Sequence, residues 1–410
     1  MRLLLISNLF APENIGGYEL VAHELAERLT AAGHDVAVAT SPLVNHSGEA
    51  AETTVTVHRV LSYTGLSADR LHPGDEAFRS GIIQLSNIAA LRVLIDTFQP
   101  DQILLCNISG LGALGIVTFL HDVGFSPAIY LGDNVFDHAC GDTGLRDSFF
   151  RLFGASKALR ALRPLAVSQT VVDEIELGLG ISLASPLFVP GWVPDSLTPL
   201  QPRPAEGPHR FVYSSRLASH KGLWILLDAA KHLLACGDDA FQIDVYGAGQ
   251  VPEFIQRVHA EGLDAHIRYG GMLRRGAMIE AFRDYDALLF PTWQREPLGL
   301  VPFEAAAQGC IPIMTAQIGA AEWFTATDCI KIDRSPTSLA GAMQSLMAMP
   351  LEECERLRQT TAANVRRRFG AGRWINLIDQ SLSQLPPRRR TVTAQRVQNA
   401  MFSTTRIWRD

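Results

Sequence analysis

The 410-residue sequence predicts an α/β fold in which two doubly wound, Rossmann-like parallel sheets follow one another. Three observations predict it. Short runs of apolar, β-branched or aromatic residues recur along the chain, segments of helix length separate them, and a proline-rich stretch breaks the rhythm near the middle. Strand, helix, strand in that order means parallel βαβ units. A chain of this length also exceeds one usual hydrophobic core, so two domains of about 200 residues each are expected.

In the first half the candidate strands are RLLLISN (2–8), DVAVATS (35–41), TVTVHRV (54–60), QILLCN (102–107), AIYLGD (128–133), PLAVSQ (164–169) and PLFVPG (186–191). Between the first two lies YELVAHELAERLTAAGH, whose Leu20, Val21, Leu25 and Leu29 share one helical face and whose Gly33 suits a helix stop. VPGWVPDSLTPLQPRPAEGPH (189–209) then brings six prolines and no periodic face, the composition of a linker. A second series follows: RFVYSSR (210–216), QIDVYGAG (242–249), HIRYGG (266–271), ALLFPT (287–292), CIPIMTA (310–316) and CIKID (329–333). The expected organisation is a first domain over 1–190, a linker over 191–209 and a second domain over 210–370. A helix over 371–387 returns to the first domain, and a basic tail covers 388–410. Two such sheets face each other across a cleft and bind ligands at the C-terminal ends of their strands.

With 47% hydrophobic and 19% charged residues the chain is globular, and its formal net charge of −6 gives no overall attraction to nucleic acid. Six cysteines are scattered without a CxxC pair or zinc-type spacing, so they read as reduced, mostly core-filling thiols. The N-terminal run LLLI is too short for a signal-peptide core, which points to a cytoplasmic protein. From Arg388 onward six arginines face one acid, Asp410. This is a solvated tail or a peripheral contact with an acidic lipid surface at the inner face of a membrane.

The chemistry concentrates in REPLGLVPFEAAAQG (295–309), which follows the candidate strand ALLFPT. Pro302 suits a first helical turn, so Gly299, Leu300 and Val301 bring unpaired backbone donors to the strand end. Glu296 and Glu304 stand on either side of that turn. A glutamate early in a helix is also favoured by the helix dipole alone, so neither carboxylate identifies a site by itself. Upstream, SSRLASHKG places Arg216 and Lys221 five positions apart just after a strand. Glycine pairs end two further strands, Gly247 and Gly249 in YGAGQVP, Gly270 and Gly271 in YGGML. Near the N-terminus NLFAPENIGGYELVAHEL sets Gly16 and Gly17 between the first strand and first helix, where backbone can approach a ligand closely.

Together these stretches resemble the retaining GT-B glycosyltransferases, specifically glycosyl transferases group 1 of the family 4 type. Glu296 and Glu304 look like that family's E-x7-E motif, and IGAAEWF (318–324), with Gly319 and Glu322, resembles the segment that follows it. The resemblance implies transfer of a sugar from a nucleotide diphosphate sugar to an acceptor hydroxyl, with retained anomeric configuration and no required metal or cofactor. Hexose transfer in polysaccharide, glycolipid or cell-envelope glycan synthesis is expected, with a glycan, a lipid-linked or a small-molecule acceptor. It implies that Glu296 holds the donor sugar, that Glu304 holds the ribose, and that Arg216 and Lys221 neutralise the pyrophosphate. Gly247, Gly271, Met272, Gly299, Leu300 and Val301 would border the nucleotide, and Gly16 and Gly17 would approach it from the first domain. Many family members carry His-Asp after the strand that here reads AIYLGD, and this chain has Gly132-Asp133, with His138 five residues beyond Asp133. Asp133 and His138 are therefore the acceptor-side candidates. Two other classes remain open: a sugar-nucleotide epimerase or phosphorylase on the same fold, and a non-catalytic sugar-nucleotide-binding protein.

Overall fold

Leu3, Leu4, Leu5 and Ile6 are all fully buried, so the first strand presents apolar side chains to both faces of its sheet. A continuous apolar run of this kind belongs to a parallel sheet with helices on either side. The computed structural model describes residues 1–12, 17–42, 54–64, 78–140, 143–200 and 209–389. Its first sheet contains β1 (Arg2–Ile6), β2 (Asp35–Thr40), β3 (Thr56–Arg59), β4 (Gln102–Leu105), β5 (Ala128–Leu131), β6 (Arg163–Ala166) and β7 (Leu187–Phe188). They lie in the order β3-β2-β1-β4-β5-β6-β7, every neighbouring pair parallel.

The second sheet contains β8 (His209–Ser214), β9 (Phe241–Tyr246), β10 (Ile267–Gly271), β11 (Ala287–Phe290), β12 (Ile311–Thr315) and β13 (Ile330–Ile332). Its order is β10-β9-β8-β11-β12-β13, again all parallel. Each strand of both sheets falls on a run that the sequence marks as one, with ends that agree to within three residues. In each sheet the strand order reverses at one place, beside β1 in the first and beside β8 in the second, and such switch points are where open α/β sheets bind ligands.

The chain divides into two compact units. One comprises Met1–Val167, Val171–Val189 and the chain from Ile375, and the other comprises Ser168–Thr170 and Pro190–Trp374. In the second unit Phe211, Ile243, Leu289 and Ile313 of the sheet pack with Leu226 and Leu227 of the helix Leu223–Ala235 and with Leu339 and Met343 of the helix Pro336–Met347. Residues 201–208 of the expected linker lie outside the described residues.

Two features of the first unit have no counterpart in the sequence reading. A π-helical turn, Phe78–Ile82, precedes the helix Leu85–Phe98. The stretch Phe78–Phe98 has the length and apolarity of a membrane span, but its helix is interrupted at Ile83 and Gln84 and it carries buried polar anchors. Asn87 donates to the carbonyls of Ser62 and Leu111, and Gln84 donates to that of Gly110. Near the C-terminus, His34 Nε2 lies 2.8 Å from Asp379 Oδ1, and Gln102 donates to the carbonyls of Leu385 and Pro386. Arg388 reaches the Val123 carbonyl and lies over the Phe125 ring, while the Arg389 amide donates to Gly124. The first two arginines of the basic tail are thus engaged by the turn at 123–125, and residues 390–410 lie outside the described residues.

Candidate functional site

At the C-terminal ends of β8, β9 and β10 the second unit opens a pocket of about 240 Å³. Ser214, Ser215 and Arg216 line it from β8, Tyr246, Gly247 and Ala248 from β9, Met272 and Leu273 from β10, and Met278 and Val301 complete it. Gly247 has φ +140°, and a Cβ there would stand 1.9 Å from the Ser215 carbonyl oxygen. Only glycine lets the two strand-end loops approach so closely. A Cβ on Gly270 would meet the Tyr246 ring at 2.3 Å, whereas Gly271, at φ +84°, has open space beside it and lets the chain turn into the pocket wall. Met272 stands 75% exposed on that wall, an apolar surface available to a flat ligand.

Beside the pocket, at the switch point, the loop after β8 meets the loop after β11. Lys221 Nζ donates to Glu296 Oε2 although 75 positions separate them, and Thr292 Oγ1 donates to the same oxygen at 3.1 Å. Lys221 belongs to a short 3-10 turn, Ser219–Lys221, that the fully buried Tyr213 braces from below. The phenol lies 3.2 Å from both the Arg216 and the Lys221 carbonyl oxygens, and burial pushes its pKa up, so it stays a neutral donor. Arg334 Nη2 adds bonds to the Ser219 and His220 carbonyls. The pKa of His220 is lowered by burial and then by Lys221 and Arg216, a sign of concentrated positive charge at this strand end.

The Glu296 loop is fixed just as firmly. The Gly319 amide donates to the Glu296 carbonyl at 2.9 Å, and a Cβ on Gly319 would lie 1.6 Å from the Pro297 carbonyl oxygen. Ser168 Oγ donates to that same Pro297 oxygen at 2.6 Å. Within IGAAEWF, Gly319 therefore permits a backbone approach that anchors Glu296. Glu322 accepts from the Gln169 and Thr170 amides and the Thr170 hydroxyl.

Glu304 sits in the helix Val301–Ala307 and is 5% exposed. Burial raises its pKa, and Arg275 opposes that shift: Arg275 Nε donates to Glu304 Oε1 at 2.6 Å. The Arg275 guanidinium in turn lies 4.4 Å over the ring of the fully buried Trp192, which packs against Trp374 at 5.4 Å. Gly299 holds the turn before this helix at φ +73°, Leu300 is the N-cap and Val301 the first helical residue. One carboxylate oxygen of Glu304 therefore already has a protein partner.

The remaining candidates belong to the first unit. Gly16 lies outside the described residues, and Gly17 opens the helix Gly17–Ala31, where a Cβ would meet nothing within 4 Å. Gly132 follows β5, where a Cβ would lie 3.1 Å from the Tyr130 ring and 3.2 Å from that of Tyr18. Tyr18 takes the space beside this strand end: its hydroxyl donates to the Tyr130 carbonyl and accepts from the Gly132 amide at 2.9 Å. Asp133 Oδ1 accepts from the Asn134 amide at 2.8 Å. His138 is in the short helix Asp137–Cys140, and its side chain lies outside the described residues.

The structure thus gathers Arg216, Gly247, Met272 and Val301 around one pocket, with Lys221 paired to Glu296 next to it. Sequence reading missed Arg275, Thr292, Tyr213 and Trp192 in the second unit and Tyr18 in the first. None stands in a motif; a tyrosine within an apolar strand and an arginine opening a helix look the same wherever they occur.

Comparison with known proteins agrees with this architecture. Residues 199–364 match the family described as glycosyl transferases group 1. A glycogen synthase of Mycobacterium tuberculosis is 23% identical over 382 residues, covering 89% of this chain and 90% of its own. Among solved structures, a sucrose-phosphate synthase from Thermosynechococcus elongatus superposes with a TM-score of 0.72 at 18% identity, covering 94% of this chain and 98% of the other. The Anabaena protein Alr3699/HepE in complex with UDP-glucose superposes with a TM-score of 0.66 at 16% identity, covering 94% and 100%. The second unit thus carries a match to glycosyl transferases group 1, a glycogen synthase aligns along nearly the whole chain, and the two sheets have the GT-B fold of the solved structures.

Proposed function

We propose that the enzyme is a retaining hexosyltransferase that moves a sugar from a nucleotide diphosphate sugar to an acceptor hydroxyl. The observation that carries this reading is the Lys221–Glu296 pair at the switch point, next to the pocket bordered by Arg216, Gly247 and Met272. A cation and a hydroxyl-binding carboxylate held together beside a nucleotide-sized pocket match the parts of a nucleotide sugar. The base and ribose occupy the pocket, against Gly247, Gly271, Met272, Leu300 and Val301, with Glu304 accepting from a ribose hydroxyl. Arg216 and Lys221 meet the diphosphate, and Glu296 accepts from the sugar hydroxyls.

In the transfer step the bond between the anomeric carbon and the diphosphate oxygen breaks while the acceptor oxygen forms a bond to that carbon on the same face. The acceptor proton passes to the departing phosphate oxygen. Negative charge grows on the diphosphate, and pre-positioned cations stabilise it more in the transition state than in the ground state. Here the charge is met by Arg216 and Lys221, so the reaction is proposed to run without a metal. A carbohydrate or lipid-linked glycan acceptor, with Asp133 and His138 on the acceptor side, and a cytoplasmic or peripheral membrane setting complete the reading. The named relatives support it, since glycogen and sucrose-phosphate synthases act on sugars and Alr3699/HepE binds UDP-glucose.

The test begins with thermal stabilisation by UDP-, ADP- and GDP-sugars, because a ligand of the folded state raises its melting temperature. Acceptor-dependent nucleotide release and NMR of the product's anomeric centre then follow. Release with a retained anomer is expected, at a rate unchanged by EDTA. An inverted product, or a rate abolished by EDTA and restored by Mg²⁺, would contradict the mechanism. Sugar isomerisation without an acceptor would favour an epimerase, phosphate-dependent cleavage a phosphorylase, and binding without turnover a non-catalytic protein.

A further inference from the structure

We propose that Arg275 is a positioning residue for donor binding, one that fixes Glu304 as an oriented acceptor on the helix whose first residue, Val301, lines the pocket. The inference rests on the proposed role of Glu304 at the ribose, and adds to it a residue that no motif marks.

Three observations point to Arg275. It opens the helix Arg275–Ala281, and Met278 of the same helix lines the pocket, so the element that carries Arg275 also forms the pocket wall. Its Nε donates to Glu304 Oε1 at 2.6 Å. Its guanidinium plane is held 4.4 Å over Trp192, which is 1% exposed and backed by Trp374, so neither aromatic neighbour has room to turn. A planar cation seated on a rigid indole offers its edge in one direction, which a flexible ammonium would not do.

The consequence for Glu304 is twofold. With Oε1 engaged, the carboxylate is confined to one orientation, and Oε2 is the oxygen left for a hydroxyl. The ionised form is also retained in a site that disfavours it: burial drives the carboxyl toward protonation, and Arg275 is the charged group among the described residues that opposes this. Arg275 Nη2 is buried without a hydrogen-bond partner, a second donor beside the same carboxylate. A protonated, rotatable Glu304 would accept poorly from a ribose hydroxyl, so donor affinity depends on the pair.

The experiment measures dissociation constants by calorimetry between pH 5.5 and 8.5, using whichever of UDP, ADP and GDP binds most tightly. The proteins are wild type, Arg275→Met, Arg275→Lys and Glu304→Gln, together with both Arg275 changes in the Glu304→Gln background. Arg275→Met is expected to bind about tenfold more weakly near pH 6.5 and to regain affinity as pH rises, because its Glu304 ionises later. Arg275→Lys should fall between it and wild type, and neither change should weaken binding further once Glu304 is glutamine. If Arg275→Met only lowers the melting temperature and keeps the wild-type pH profile, Arg275 is structural and the proposal fails. Should Arg275→Met not fold, the pH profile of Arg275→Lys and its loss of effect beside Glu304→Gln decide the matter. If Glu304→Gln itself binds like wild type, the ribose assignment fails instead, a result distinguishable from failure at Arg275 alone.

Discussion

Lys221 can act on a diphosphate only if its ammonium is held at the strand end without being neutralised by a second carboxylate. Among the described residues its ammonium has one carboxylate partner, Glu296, and the backbone beneath it is fixed through Tyr213 and Arg334. Replacing Lys221 with alanine removes transition-state charge stabilisation while leaving the core untouched. We expect kcat to fall by a factor on the order of 10²–10³, as for other single preorganised charge donors, with the melting temperature nearly unchanged; wild-type turnover in Lys221→Ala would sink the assignment. For individual residues the sequence is partly legible. Arg216, Lys221, Glu296 and Glu304 stand at motif spacings, so their presence can be read. Their partners cannot, since Arg275 lies 29 positions from Glu304 and Lys221 lies 75 from Glu296. Gly132 likewise looks like a missing side chain in the sequence, whereas in the fold Tyr18 fills the space beside it.

Among the elements, β9 and its loop matter most for the pocket. Gly247→Ala introduces a Cβ against the Ser215 carbonyl at a positive φ, and we expect a loss of roughly 2–4 kcal/mol together with weakened nucleotide binding. As a control, Gly341→Ala adds a Cβ with nothing within 4 Å inside the helix Pro336–Met347, and should be neutral or stabilising by up to ~1 kcal/mol. Equal urea midpoints for the two variants would show that the close approach at Gly247 carries no cost. Asp244, buried in β9, accepts from Arg268 at 2.9 and 3.0 Å, from Arg210 at 3.2 Å and from Tyr285 at 2.7 Å. Burial pushes its carboxyl up, but Arg268, Tyr285 and Arg210 outweigh that and hold it below the ordinary aspartate value of 3.8. A depressed folded pKa gives stability that is present above the unfolded value and lost as pH falls through the folded one. Asp244→Asn should therefore cost about 1–2 kcal/mol at pH 7, discounted because Arg268 is largely exposed. The stabilities of the two proteins should converge in acid below the carboxylate range, and a gap that persists unchanged there would show that the charge on Asp244 is not what stabilises the fold. This network is illegible in the sequence because its members come from positions 210, 244, 268 and 285 and meet only once the strands are paired.

For the molecule as a whole, the strand runs are the most legible feature because parallel strands bury both faces and so appear as uninterrupted apolar segments. What escapes is irregular: the π-turn Phe78–Ile82 and the seating of Arg388 and Arg389 on the turn at 123–125, which depend on contacts distant in sequence. The proposed function stands on one arrangement, in which the second unit holds a nucleotide diphosphate with its base end in the β8–β10 pocket and its phosphates at Arg216 and Lys221. The decisive measurement is a calorimetric titration of wild type, Arg216→Ala and Lys221→Ala with a nucleoside diphosphate and with the matching nucleoside. Each substitution is expected to weaken diphosphate binding by about tenfold or more and to leave nucleoside binding nearly unchanged. Equal diphosphate affinity in all three proteins would rule the arrangement out.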